Sequence, residues 1–405
     1  MKDYSLFLRR VLFLFIISVQ LICLFTLSVL GPKLVYDEIP YQKTVPLVWK
    51  YGLSKEFFLQ LLGAGPLYSW IHAFFAPLTH LALPQIRILN FCFLPILILG
   101  IFWSLSILRL SNSLCSALLI MALPPIYVIT GMALTDLPPL AFFSIAIASI
   151  LAALKNDNLH SWAYCVLSGI CFGVAILGRQ TYSVPLVMLV LFIILDFRLW
   201  GKILLTLFLG ILPLFWLIRN WGNLVPPEIS TSIIGFAPQH LINAFLYTGF
   251  FIAILCPRWF AINWKIICFS TIIGIFINAL YPIVNITPLR TLAESVLTPF
   301  LLSLYTKTVS HLSLGLVFIV FFSFVKRGWE HRTDKIYLYF VFATASLIFT
   351  NLKITHVFSS RYVISEAPLL ILLVSPYIKF SKGLVIRLLF GGALGFLSLS
   401  TYLFK

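Results

Sequence analysis

Carboxylates are scarce in this chain: 12 acidic residues in 405, against 28 lysines and arginines, and only 10% charged residues in all. A mean hydropathy of +1.05 with 61% hydrophobic residues leaves too little polar surface to clothe a soluble domain. The composition therefore predicts an all-α polytopic membrane protein. Cysteine motifs are missing too. The seven cysteines (Cys23, Cys92, Cys115, Cys165, Cys171, Cys256 and Cys268) lie in or beside apolar runs with no CxxC or Cys/His spacing, so they read as small packing residues and not as a metal centre. No internal repeat, no low-complexity tract and no glycine-rich phosphate loop after a strand is present, which argues against an ATP-driven motor. The net charge of +16 does not imply nucleic acid, because the basic residues are scattered between apolar segments as topology signals and headgroup contacts are.

Counting apolar runs against the roughly 20 residues a helical crossing needs predicts thirteen spans. They lie near 11–30, 88–108, 113–131, 137–154, 162–178, 182–196, 202–219, 241–256, 266–284, 309–325, 336–351, 364–378 and 384–403, in one transmembrane domain over 1–405. The first run is long and lacks a small-residue cleavage site, so it reads as an uncleaved span. With the N-terminus in the cytoplasm, 16 basic residues fall on the cytoplasmic side, Arg10, Lys155, Lys202, Arg258, Lys335 and Arg387 among them. Outside the first loop, 7 fall on the other side, a bias that orients the chain. Asp37, Glu38, Asp136, Glu228, Glu294 and Glu366 then all face away from the cytoplasm.

The first loop, 31–87, is the longest segment outside the spans. Its two short apolar runs, Phe57–Leu62 and Leu67–Leu78, are too brief to cross and read as interfacial helices, with Tyr68, Trp70, His72 and Phe74 at the boundary; packing helices over the bundle are the alternative. Pro226, Pro227, Pro238, Pro288 and Pro299 predict irregular chain in the later loops, 220–240 and 285–310.

Polar residues recur at one end of the spans: Asp37-Glu38, Thr135-Asp136, Gly178-Arg179-Gln180-Thr181 and Ser359-Ser360-Arg361-Tyr362. A charge at a span end costs desolvation unless it is paired or faces water, so their recurrence predicts a shared polar cavity. Asp136 reads equally well as the N-cap of a helix from Leu137, and Arg179 and Arg361 as snorkelling cations. Carboxylates beside arginines suit glycosyl transfer from a lipid phosphate. A base takes the acceptor's proton and cations hold the departing phosphate, which guanidinium grips bidentately. Sugar nucleotides are cytoplasmic, so the orientation points to a polyprenyl-phosphate donor. Arg179, Arg361 and, in the first loop, Lys55 are the candidates for the donor phosphate on these physical grounds.

The motif order resembles the membrane glycosyltransferases of the C-type superfamily, similar to the protein O-mannosyltransferases and the aminoarabinose transferase of lipid A, of the family 39 type. The matching elements are Asp37-Glu38, Gly65-Pro66-Leu67-Tyr68, Arg87-Ile88-Leu89-Asn90, Thr135-Asp136-Leu137-Pro138, Gly178-Arg179-Gln180-Thr181 and Arg361-Tyr362 with Pro368-Leu369-Leu370. The resemblance covers the first 200 residues well, and from about 220 to 350 only hydropathy matches. The resemblance implies Asp37 as catalytic base, Glu38 beside it shaping the acceptor site, and Asp136 as second acid of the pocket. It implies as partners a polyprenyl-phosphate sugar donor, a lipid, glycan or protein acceptor, and membrane lipids. No cofactor is called for; a divalent cation is compatible with Asp37, Glu38 and Asp136, though their spacing does not require one. Short loops favour a bacterial inner membrane. Tyr36-Asp37-Glu38-Ile39 and Arg179-Gln180-Thr181 also resemble the endoplasmic-reticulum glucosyltransferase that adds the last glucose to the dolichol-linked oligosaccharide, which keeps that membrane as the alternative. Two other classes stay open: a polysaccharide polymerase or ligase, and a secondary transporter or flippase.

Overall fold

The computed structural model describes residues 2–404 apart from 62–64, 111, 157, 225, 227–234, 261–262, 285–292, 295 and 355–357, with side chains from Arg10 onward. Leu62, Pro227, Glu228 and Pro288, named above, lie outside the described residues. All regular structure among the described residues is helical. Among the described residues nine helices are long and apolar enough to cross a membrane: Arg10–Leu30, Gln85–Ile107, Leu137–Lys155, His160–Gly178, Phe197–Trp221, Pro238–Leu255, Pro299–Glu330, Lys335–Lys353 and Lys382–Leu403. A tenth crossing is reached if Ser113–Ala122 and Pro124–Gly131, bent by 80°, make one span. This is a polytopic helical membrane protein.

Where proline interrupts an apolar run, the run is not one long helix. The expected span 182–196 becomes short turns within Gln180–Leu195, around Pro185, and 266–284 becomes the 17-residue helix Trp264–Leu280. The expected span 364–378 is a 3₁₀ segment, Ser360–Glu366, followed by the short helix Ala367–Val374 with Pro368 in its first turn and Pro376 just beyond. Each proline removes one backbone donor, so the run stays apolar while the helix breaks. Two prolines expected to keep loops irregular do the opposite: Pro238 and Pro299 start helices, at the first helical position, where the missing N–H has no intrahelical partner to lose.

Leu137–Lys155 is the central helix, with 83% of its span window buried. It is approached closely on one side by Gln85–Ile107, where Gly100 would place a Cβ 2.2 Å from Ser144 Oγ, so only glycine permits that separation. On the Asp37 end, the C-termini of the helices ending at Leu30, Gly178 and Trp221 meet the N-terminus at Leu137. The helices of the first loop lie over them. Phe57, Phe58 and Leu61 pack with Leu217 and Trp221, and Trp221 Nε1 donates to Phe58 O at 2.9 Å. Tyr68 and His72 are buried against the bundle while Phe74 is exposed, so these helices pack inward more than the boundary reading of the sequence anticipates. The opposite end is held by basic side chains: Lys202 donates to Ala153 O and Asn156 O, Arg387 to Ile254 O, and Lys335 pairs with Asp196 at 2.9 Å.

Candidate active site

Two adjacent carboxylates at the start of one helix turn in opposite directions. Tyr36 adopts φ 48°, a left-handed bend that L-residues seldom take, and its ring is braced edge-on against Tyr402 at 5.1 Å. Beyond the bend the helix Glu38–Tyr51 begins, and side chains one residue apart on a helix cannot share a face. Glu38 points into the protein; Asp37 keeps a side chain that is 40% exposed.

Glu38 is wholly buried with Arg87. Its Oε1 accepts from Arg87 Nε and from Ala133 N, both at 2.8 Å; its Oε2 accepts from Arg87 Nη2 at 2.7 Å and from Val35 N at 3.0 Å. The remaining guanidinium donors reach Ser28 O, Gly31 O and Lys33 O, carbonyls at the end of the first helix that have no intrahelical partner. Gly31 has to be glycine here, because a Cβ would stand 2.2 Å from Arg87 Nη1. Three residues on, Asn90 donates to Ile129 O at 2.8 Å and to Met132 O at 2.6 Å. One short helix thus fixes the first span, the start of the first loop and the segment leading to Asp136. Glu38 has no lone pair left for a substrate proton, and its place is in this scaffold.

Asp37 belongs to a different set. Arg361 Nη2 donates to Asp37 Oδ2 at 2.5 Å, and Arg361 Nη1 stands 3.9 Å from Asp136 Oδ2. Asp136 in turn pairs through Oδ1 with Arg179 Nη2, which also reaches Thr135 Oγ1 at 3.4 Å. Asp136 occupies the N-cap position of Leu137–Lys155 but its side chain makes no capping hydrogen bond; it is turned toward the arginines. Arg179 follows the last turn of His160–Gly178 in extended conformation and lies 5.9 Å from the Tyr362 ring centre. Arg361 enters from the 3₁₀ segment Ser360–Glu366, whose first turn is capped by Ser359 Oγ. Four charges alternating in sign therefore form a chain, with Asp37 at its exposed end. Only 6% of the Asp136 side chain is exposed, against 17% for Arg361 and 22% for Arg179.

The electrostatics follow. Burial works against the charged guanidinium of Arg361, but Asp136 and Asp37 outweigh it and its pKa is raised. The same holds for Arg179, where Asp136 is the main opposing influence. Both stay cationic at any accessible pH. Burial raises Tyr41, with the two arginines pulling it back and the two aspartates adding to the rise. His72, its ring tilted by 39° against that of Tyr68 with centroids 4.2 Å apart, has its pKa lowered to about 4 by burial. Several buried polar atoms around the charged chain make no hydrogen bond among the described residues: Asp136 Oδ2, Arg179 Nε, Gln180 Nε2 and Tyr68 Oη.

Of the residues singled out by sequence, Asp37, Asp136, Arg179 and Arg361 come together. Glu38 adjoins them but faces away, and Lys55 is exposed beside Glu56 at the start of the helix Lys55–Leu59, outside the ion-paired set. Among the described residues no three His, Cys, Asp or Glu side chains stand close enough to hold a metal ion together. Two participants were missed. Arg87 was visible only as part of a motif, and Tyr41 carried no signal beyond following Asp37 by one turn.

No family model matches the chain, and no curated protein does. Among solved structures it is similar to that of apo ArnT from Cupriavidus metallidurans, at 15% identity over 97% of this chain and 77% of that one, with a TM-score of 0.43. At that distance the chemistry has to be read from the side chains themselves.

Proposed function

We propose that the protein is an integral membrane glycosyltransferase that moves a sugar from a polyprenyl-phosphate donor to a lipid, glycan or protein acceptor on the extracytoplasmic face, with Asp37 as general base. The observation that carries this reading is the exposed carboxylate of Asp37 at the end of a chain of two buried-to-half-buried arginines and a buried aspartate. In the step, an acceptor oxygen or nitrogen forms a bond to the anomeric carbon while the bond from that carbon to the phosphate oxygen breaks. The acceptor's proton goes to Asp37, and the electron pair leaves with the phosphate. Arg361 and Arg179 stabilise the charge that develops there, a task guanidinium performs through paired N–H donors in a water-poor site. Asp136 holds both arginines at the spacing they need. Lys55, in the first loop but outside the ion-paired set, is a third candidate cation for the donor phosphate, and Glu38 positions the helix that presents Asp37.

The 16-to-7 distribution of basic residues supports a cytoplasmic N-terminus and, with it, a site on the opposite side, in a bacterial inner membrane or, alternatively, the endoplasmic reticulum. Transfer of radiolabelled sugar from polyprenyl-phosphate donors to a membrane lipid fraction tests the reading. Purified wild type transfers label, and Asp37→Asn, which keeps the shape and removes the basicity, is slower by about 10² or more. Full turnover by Asp37→Asn would refute Asp37 as base. Absence of transfer from every donor would favour the transporter class, to be read by flux in vesicles.

A further inference from the structure

The two most deeply buried glutamates have opposite surroundings. Glu38 has a guanidinium and two backbone N–H groups. Glu366, 1% exposed, has one hydrogen-bond partner among the described residues: its Oε1 meets the hydroxyl of Thr248, on the helix Pro238–Leu255, and its buried Oε2 has none there. No ion pair involves Glu366 among the described residues. A carboxylate so placed would be an uncompensated charge in a hydrocarbon-like interior, a far larger penalty than any single hydroxyl offsets. The proton inventory agrees. Thr248 Oγ1 also lies 2.8 Å from Ala244 O, and its single hydrogen can serve only one of the two acceptors. A proton on Glu366 completes the chain: the carboxyl donates to Thr248, and Thr248 donates to its own helix.

Glu366 also ends the 3₁₀ segment that begins with Ser360 and Arg361. At seven residues the segment is longer than 3₁₀ geometry usually sustains by itself, and it is tied at both ends, by Arg361 to Asp37 and Asp136 and by Glu366 to Thr248. We propose that Glu366 is a positioning residue held as a neutral acid, whose hydrogen bond to Thr248 fixes the segment that delivers Arg361 to the carboxylates. The positioning of catalysis rests on the transferase reading; the protonation and the pinning do not.

The test uses the purified full chain in lipid nanodiscs, with Glu366→Gln, Glu366→Leu and Thr248→Val. The infrared difference between wild type and Glu366→Gln shows the carbonyl band of a protonated carboxylic acid, shifted in D₂O; loss of carboxylate bands alone would overturn the neutral-acid assignment. Limited trypsin cleavage after Arg361, identified by fragment mass, is equally slow in wild type and Glu366→Gln, because an amide reproduces the neutral partner. It is at least about tenfold faster in Glu366→Leu and Thr248→Val, where the opening that exposes the segment is more frequent. Equal cleavage of Glu366→Leu and wild type, or fast cleavage of Glu366→Gln, would overturn the pinning. In the transfer assay kcat/KM of Glu366→Gln stays within about threefold of wild type and that of Glu366→Leu falls at least about tenfold, as misplacement of a catalytic group does. Inactive wild type would sink the transferase reading while the band and the cleavage still decide this one.

Discussion

Replacing Arg87 by methionine keeps most of the side-chain volume and removes five hydrogen-bond donors from a site with no access to water. Glu38 keeps Val35 N and Ala133 N but loses the cation it pairs with, and breaking one side of a buried ion pair costs about 3–5 kcal/mol. Ser28 O, Gly31 O and Lys33 O lose their donors as well, which places the loss at the upper end of that range. For a chain of this size, where about 1 kcal/mol moves Tm by some 2 °C, unfolding should come about 10 °C earlier. Thermal unfolding in detergent can be followed with a thiol-reactive dye, since Cys115, Cys165, Cys171 and Cys256 are buried in the fold and become reactive as it opens. The double variant Glu38→Gln with Arg87→Met should recover much of the loss, because it removes both charges together. Asp37→Asn should barely move Tm, its ion pair being partly exposed. A Tm for Arg87→Met within 1–2 °C of wild type, about the shift 1 kcal/mol would give, would refute the reasoning.

Arg361→Lys keeps the cation but cannot present two donors to two carboxylates, so transfer should fall about tenfold with Tm nearly unchanged; an unaltered kcat/KM would remove Arg361 from the site. Gly31→Ala drives a methyl into the Arg87 guanidinium and should lower Tm on the thiol assay, whereas Gly52→Ala, with open space around it, tests only the cost of a positive φ. His72 is neutral in the fold down to about pH 4 and titrates near 6.5 when unfolded, so only the unfolded state takes up its proton between those values. Its contribution is therefore complete above pH 6.5 and lost as pH falls toward 4, by ~3 kcal/mol at most. Tm of wild type should drop through that window more steeply than Tm of His72→Phe, and parallel profiles would refute the assignment.

Hydropathy is a local property, and what depends on it was legible along the chain. The membrane class, most of the spans and the gathering of Asp37, Asp136, Arg179 and Arg361 at span ends all follow from short windows of sequence. The spans expected at 113–131, 182–196 and 364–378 are broken at Pro124, Pro185 and Pro368, where apolar composition persists through an interrupted backbone. Pairing is different. Glu38 and Asp37 are neighbours and look interchangeable, yet one bonds Arg87, 49 residues on, and the other Arg361, 324 residues on. Which acid is buried depends on the direction of a single bend at Tyr36 and on the glycine at 31 that admits the guanidinium. The N-cap reading of Asp136 fails for the same reason, since Arg179 reaches it from another helix and outcompetes backbone N–H groups for its charge. The chain by itself determined that it is a membrane bundle with a charged end, because burial in lipid is set residue by residue. Only the tertiary structure decided which carboxylate faces outward and which is locked away, because that depends on cations that folding brings from distant helices.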